Sequence, residues 1–252
     1  MSEPAANVFT EPHALSPAQK LFMWLSGVSI ASLLIGDVIG IKLFRIPLGF
    51  TLPLPGGSTD SIVHTCGMLT FPITFLITDL VNEFYGKRAA RRLAIISFSM
   101  SLFAFVFINI GLAMPFLDAD FNISPAAFNM VFGSAKVMFV ASLTAYLIGN
   151  FCDIAVFGAF KRLTGDRFIW LRATGSTVIS QMLDSLVVTY LAFSLGRRLF
   201  ADGAVPMGTS EVFKTAATGY LLKFVIAIAM TPVIYLGHRI IKRWLGMTPA
   251  AQ

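Results

Sequence analysis

The stretch FPITFLITDLVNEFYGKRAARR, residues 71–92, decides how this chain is organised. It begins as an apolar segment and ends in a cluster of cations, with Asp79 and Glu83 one helical turn apart between them. A carboxylate at membrane depth costs about 2.5–3.5 kcal/mol on insertion scales. We therefore expect these two carboxylates either to serve a function or to be paired inside a helical bundle.

The composition indicates a polytopic membrane protein. Of the 252 residues, 56% are hydrophobic and 13% are charged, whereas an ordinary soluble domain has about 25% charged residues. The net charge of +6 lies largely at the ends of apolar runs, where an inner leaflet would meet it, so it does not indicate nucleic-acid binding. The two cysteines, Cys66 and Cys152, lie in hydrophobic stretches and predict neither a disulfide nor a metal site. No cofactor is expected.

Apolar runs of about 20 residues, the length that spans a bilayer, predict an all-α membrane protein with six transmembrane helices. We expect one transmembrane domain over residues 21–243, with cytoplasmic tails at residues 1–20 and 244–252. The predicted spans are Leu21–Phe44, Ser61–Phe84, Leu93–Leu117, Lys136–Phe160, Arg172–Leu195 and Thr215–Gly237.

The distribution of cations predicts that both termini are cytoplasmic. With that orientation the inner segments hold twelve Lys and Arg residues and the outer segments hold four. Such a bias in short loops follows the positive-inside rule. The inner cations are Lys20, Lys87, Arg88, Arg91, Arg92, Lys161, Arg162, Arg167, Arg172, Arg239, Lys242 and Arg243, and the outer ones are Lys42, Arg45, Arg197 and Arg198.

The first outer loop, IPLGFTLPLPGGSTD at residues 46–60, is rich in residues that break helices and favour turns. Two interpretations are open. The loop either folds as a short hairpin that covers the outer mouth as a lid, or it is a simple connector.

Polar residues inside the predicted spans recur at intervals of three, four and seven, which place them on one face of each helix. Because lipid cannot satisfy such groups, the faces should converge on a shared interior. The residues concerned are Asp37 in the first span, Asp79 and Glu83 in the second, Asn150 and Asp153 in the fourth, Gln181 and Asp184 in the fifth, and Lys223 in the sixth.

The predicted interior is suited to a small planar solute with several N–H donors. Carboxylates and side-chain amides match the hydrogen-bonding edge of a guanine-like base. Aromatic walls from Phe71, Phe75 and Tyr146 would stack on its face.

The same residues allow other interpretations. Asp153 or Asp184 can form a structural ion pair with Lys223 that fixes helix packing. Glu83 lies near the predicted cytoplasmic end, where it can meet solvent or the basic cluster. An intramembrane enzyme with Asp79 and Glu83 as an acid–base pair is disfavoured, because no nucleophile–base arrangement accompanies them.

With these residues assembled, the chain resembles the queuosine precursor transporter family, also called the vitamin uptake transporter family. The resemblance covers nearly all of residues 21–243. Asp37 is a departure, since asparagine is expected there. The segments that carry the resemblance are FPITFLITDLVNEFYGKRAARR at 71–92, ASLTAYLIGNFCDIAVF at 141–157, GSTVISQMLDSL at 175–186 and YLLKFVIAIAMTPVIY at 220–235.

The resemblance implies uptake of a 7-deazaguanine base (preQ0, preQ1 or queuine) across a bacterial inner membrane. It also implies a fold similar to the substrate-binding components of energy-coupling-factor transporters. The expected partners are the small-molecule solute and the lipid bilayer, and a homodimer is left open. The alternative is a specificity subunit of an ATP-driven importer, since the sequence lacks the Gly-x-x-x-x-Gly-Lys-Ser/Thr motif of an ATPase.

Overall fold

The computed structural model describes residues 15–54, 57–164, 169–200 and 205–246. Long helices dominate, as the apolar runs predict, and one β-hairpin interrupts them. The elements in chain order are α1 (Pro17–Ile39), β1 (Leu43–Leu54), β2 (Gly57–Thr65), a 3-10 turn (Cys66–Thr70), α2 (Phe71–Ala113), α3 (Pro125–Phe128), a π-helical turn (Asn129–Gly133), α4 (Ser134–Thr164), α5 (Ile169–Tyr190), a second π-helical turn (Leu191–Leu195), α6 (Gly196–Phe200) and α7 (Thr209–Leu245).

Helix α1 begins inside the predicted N-terminal tail because its start is capped. The Ser16 hydroxyl accepts the Gln19 backbone N–H at 3.2 Å, and the Ser16 N–H donates to the Gln19 side chain at 2.9 Å. This capping box satisfies two backbone N–H groups at the helix start, and Pro17 is favourable in the first turn. The helix also ends earlier than predicted, at Ile39 rather than Phe44.

The predicted outer loop folds as a hairpin rather than as a simple connector, and its role as a lid stays a prediction. Strands β1 and β2 pair antiparallel, with an irregularity between Pro47 and Leu52. The prediction that Ser61 begins a second helical span is wrong, because Ser61 pairs with Pro47 inside the hairpin. Backbone hydrogen bonds between the strands here outweigh the apolar composition that suggested a helix. An exposed ion pair of 3.0 Å joins Arg45 and Asp60 across the strands, and the hydrogen bond from the Ser61 hydroxyl, followed by the charge of Arg45, lowers the pKa of Asp60.

The quoted stretch forms the start of α2, and a sharp break replaces the expected loop between the second and third spans. Gly86 has φ +80° and ψ 170°, while the residues on both sides are helical. This backbone conformation is open almost only to glycine. Residues 71–85 and 87–113 are therefore two helical segments that change direction at one residue.

Five helical segments among the described residues are long and apolar enough to cross a membrane. They are residues 17–39, 88–113, 125–149, 178–199 and 209–243. Residues 71–85 are too short to span alone and carry both Asp79 and Glu83. Counting this shorter segment, the described part of the chain has the six helical segments that the sequence predicts.

The shorter segment is packed between α1 and α7. Ile77 and Val81 are buried in a cluster with Phe22 of α1 against them. On the α7 side, Phe84 packs with Ile241. This packing fixes how residues 71–85 are rotated, and so which of its side chains face the interior.

We predict that Gly86→Ala lowers the free energy of unfolding by about 1–3 kcal/mol, because alanine is strained at this backbone conformation. Thermal unfolding of the purified protein in detergent measures the change. Gly111→Ala is the matched control, since Gly111 lies in the same helix with open space around it and alanine favours helix by up to about 1 kcal/mol. Equal effects of the two substitutions would contradict the prediction.

Candidate functional site

A cavity of about 360 Å³ lies between α1, α2, α4, α5 and α7. Its wall is mostly apolar, with serine and threonine hydroxyls contributed by α1, α2 and α4. It brings together six of the residues that the sequence predicted as a binding site. These are Phe71, Phe75, Tyr146, Gln181, Asp184 and Lys223.

Lys223 organises the polar part of the wall. Its Nζ donates to Asp184 Oδ2 at 2.8 Å and lies 3.5 Å from Gln181 Oε1. Gln181 and Asp184 are three residues apart on α5 and so share a face. The side chains of Lys223 and Asp184 are 14% and 27% exposed, so the pair is largely withdrawn from solvent yet open to the cavity.

Aromatic rings form the neighbouring surface. Phe71 and Phe75, one turn apart on α2, stack with ring centroids 5.8 Å apart and planes inclined by 24°. Lys223 Nζ lies 5.7 Å from the centroid of Phe71, within the range of a cation–π contact. Tyr146 and Phe98 make a second ring contact, with centroids 5.9 Å apart. The wall thus combines flat apolar surfaces with one group of hydrogen-bonding side chains.

Asp79 and Glu83 do not line this cavity. Asp79 Oδ2 lies 3.7 Å from His238 Nε2 of α7, and the negative charge of Glu83 acts on Asp79 from one turn away. The His238 ring meets the edge of Phe84 at 5.2 Å between centroids. These carboxylates form a separate polar group, and their contact with a solute stays a prediction.

Asp37 lies behind the cavity wall rather than on it. It is 5% exposed, and its carboxylate is beside the hydroxyls of Ser101 and Ser142, which do line the cavity. The predicted site residues Asn150 and Asp153 belong to α4, but their side chains lie outside the described part of the structure. Gly149, just before them, approaches Asp184 so closely that a Cβ there would lie 3.8 Å from the Asp184 Cβ.

His64 is a residue near the site that sequence reasoning missed. It stands in β2, is 5% exposed, and is close enough to Lys223 and Asp184 to interact electrostatically with both. Its Nδ1 accepts the Thr65 backbone N–H at 2.7 Å, which leaves the ring proton on Nε2. The sequence alone gives no signal for this contact; in the structure, a side chain at Gly219, one turn before Lys223, would collide with the His64 ring.

The hydroxyls on the wall were also missed. Ser97 and Ser101 stand one turn apart in the third predicted span, and both are buried. Serine is common in membrane helices, where its hydroxyl usually bonds to the preceding turn. Here neither hydroxyl has a hydrogen-bond partner among the described residues.

Comparison with known proteins places this geometry in context. Residues 65–237 match a family model described as "Putative vitamin uptake transporter". A "Probable queuosine precursor transporter" of Bacillus subtilis is 30% identical, over 71% of this chain and 74% of the relative. One of Haemophilus influenzae with the same description is 27% identical over 74% of each chain, and the "Queuosine precursor transporter" of Escherichia coli is 30% identical over 51% of this chain and 55% of the relative. No solved structure matches the chain.

We predict that Gly219→Ala lowers the free energy of unfolding by about 1–3 kcal/mol, because the added methyl group overpacks the contact with His64. Adding His64→Ala to this variant should recover most of the loss. Thermal unfolding measures both, with Gly27→Ala of α1 as control because it has open space around it. If Gly219→Ala lowers the free energy of unfolding equally with His64 and with His64→Ala, the contact is contradicted.

We also predict that Asp184 and Lys223 are energetically coupled. In a double-mutant cycle with Asp184→Asn and Lys223→Met, the coupling energy from thermal unfolding should be about 0.5–3 kcal/mol. The pair of Glu211 and Lys214, 3.4 Å apart with the Glu211 side chain 63% exposed, is the control. Glu211→Gln and Lys214→Met should couple by less than about 0.5 kcal/mol. A coupling for the inner pair no larger than the control would show that it is not a desolvated interaction.

Proposed function

The chain belongs to the vitamin uptake transporter family, and we propose that it imports a 7-deazaguanine precursor of queuosine. It is a multi-pass membrane protein of a bacterial membrane. Three relatives described as queuosine precursor transporters support the solute class. The observation that carries the proposal is the group of Gln181, Asp184 and Lys223 on the wall of an otherwise apolar cavity.

The size of the cavity suits a single base. Its volume of about 360 Å³ is near the lower end of the range of about 300–1,000 Å³ for small-molecule pockets. Flat aromatic surfaces from Phe71 and Phe75 suit a planar heterocycle, since stacking on such rings is favourable for every base.

The polar group matches the edge of a guanine-like ring. Such an edge has N–H donors beside one carbonyl oxygen. A carboxylate has about four lone-pair sites, so Asp184 can hold Lys223 through Oδ2 and accept the N–H groups of the base through its remaining sites. Lys223 has further N–H donors for the carbonyl oxygen, and Gln181 can both donate and accept.

Asn150 and Asp153 would contribute further acceptors if they face the same cavity, and we propose them as additional contacts. They follow Gly149 in α4, and Gly149 packs against Asp184. One turn earlier, Tyr146 lines the cavity. Their position on α4 is therefore consistent with a site shared between α4 and α5.

We propose that both termini are cytoplasmic, on the basis of the bias of Lys and Arg toward the inner loops. The hairpin then covers the outer side of the bundle, and Asp79 with His238 lies toward the cytoplasmic side. The Thr218 hydroxyl of α7 is 3.3 Å from the Val63 carbonyl oxygen, which ties the hairpin to the helix that carries Lys223. Movement of the hairpin and of α7 would expose the cavity to one side at a time.

The proposal predicts that Asp184→Asn reduces uptake of preQ1 about 10–100-fold, because a charge-assisted hydrogen bond of about 1.5–3 kcal/mol is lost. Uptake is read as queuosine formation in cells that cannot make the precursor. Asp120→Asn is the control, since Asp120 is exposed in the loop after α2 and does not line the cavity. Unchanged uptake by the Asp184 variant at equal expression would remove Asp184 from the site.

Liposomes that contain only the purified chain separate transport by this chain alone from a role in a larger importer. Accumulation of labelled preQ1 inside these liposomes supports autonomous transport. Tight binding of preQ1 without accumulation would instead support a specificity subunit that needs an ATP-hydrolysing partner. If the chain neither binds nor transports preQ1, preQ0 or queuine, the proposed solute class is overturned.

A further inference from the structure

Asp37 lies in an unusual environment for a carboxylate. It is 5% exposed on α1, and the side chains beside it are the Ser101 hydroxyl of α2 and the Ser142 hydroxyl of α4. Ser101 is itself 1% exposed, and Ser97 lies one turn before it at 9%. Oxygen atoms from three helices therefore gather at one buried point next to the cavity.

One carboxylate oxygen and two hydroxyls at or near this point lack a hydrogen-bond partner. Asp37 Oδ2 and the hydroxyls of Ser97 and Ser101 have none among the described residues. The Ser142 hydroxyl donates its proton to the Phe139 carbonyl at 3.1 Å, which leaves its lone pairs free to accept or to coordinate. Asp37 also takes part in none of the ion pairs formed by the described residues.

Among the described residues, the elements packed against Asp37 supply no counter-charge. Helices α2 and α4 and the 3-10 turn Cys66–Thr70 pack against α1. From α2 and α4 the groups that face Asp37 are hydroxyls, and the titratable residue of the turn is Cys66. A charged carboxylate withdrawn from water is strongly unfavourable without a cation. The arrangement therefore calls for a small cation that the described residues do not provide.

We propose that Asp37, Ser101 and Ser142 form a binding site for a monovalent cation, either Na⁺ or a proton, that is coupled to the solute cavity. Carboxylate and hydroxyl oxygens are hard ligands, which suit a hard cation. Ser101 and Ser142 border both the Asp37 carboxylate and the cavity. A solute that contacts these hydroxyls changes the affinity for the cation, and by linkage the cation changes the affinity for the solute by the same factor.

The coupling rests on the proposed function, whereas the cation site does not, so we test the site without any solute. The thermal unfolding temperature of the purified full chain is measured in NaCl, KCl and choline chloride at equal ionic strength and alkaline pH. A second series in choline chloride varies the pH. A Na⁺ site raises the unfolding temperature by about 5 °C in NaCl alone at saturating Na⁺. A proton site gives no difference between salts and an unfolding temperature that rises as the pH falls.

The variants assign either response to this site. Asp37→Asn should abolish it, because the amide carries no negative charge to attract a cation. Ser101→Ala keeps the carboxylate and should weaken the response, so it serves if Asp37→Asn does not fold. Asp118→Asn, at an exposed loop position, should respond like the unmodified chain.

The proposal is overturned if Asp37→Asn or Ser101→Ala responds to Na⁺ and to pH as fully as Asp118→Asn does. It is also overturned if the unmodified chain responds to neither. Coupling is then measured in liposomes as preQ1 uptake driven by a gradient of Na⁺ or of protons. If preQ1 is not transported, the proposed function fails, while the unfolding measurements still decide the cation site.

Discussion

The structure depends on the requirement that charged and amide side chains inside an apolar bundle find their partners within the protein. Lys223 meets this requirement by joining α7 to α5 through its 2.8 Å contact with Asp184 and its approach to Gln181. The same contact places two opposite charges on the wall of a cavity. One interaction thus both joins two helices and places hydrogen-bonding groups on the wall of an otherwise apolar cavity.

The acidic residues of the bundle meet three different environments, and this separates their roles. Asp184 has a lysine, Asp79 has a histidine 3.7 Å away, and Asp37 has hydroxyls beside it and no ion pair among the described residues. A carboxylate already paired with a cation can accept further N–H groups from a solute, which is the role we propose for Asp184. The environment of Asp37, rather than its residue type, is the basis for proposing it as a cation site instead.

Much of this organisation was predictable, because it depends on properties that are local in the chain. Apolar length and the cost of a carboxylate in lipid identify the helical segments and mark Asp184 and Lys223 as interior residues. The turn-forming composition of residues 46–60 allowed a hairpin or a simple connector, and the strand pairing shows a hairpin. The aromatic positions Phe71 and Phe75 follow from their spacing of one helical turn on α2.

The sequence by itself determined which residues share a face of a helix, but only the tertiary structure decided which neighbour each face meets. Periodicity gives no information on the rotation or tilt of one helix against another, so it could not separate Asp79 from the cavity that holds Asp184. Nor could periodicity predict that His64 of the hairpin lies against Gly219 of α7. It also could not predict that a single glycine, Gly86, separates two helical segments where a loop was expected. These features depend on how segments far apart in sequence pack together, and the shapes of the contacting surfaces determine that packing.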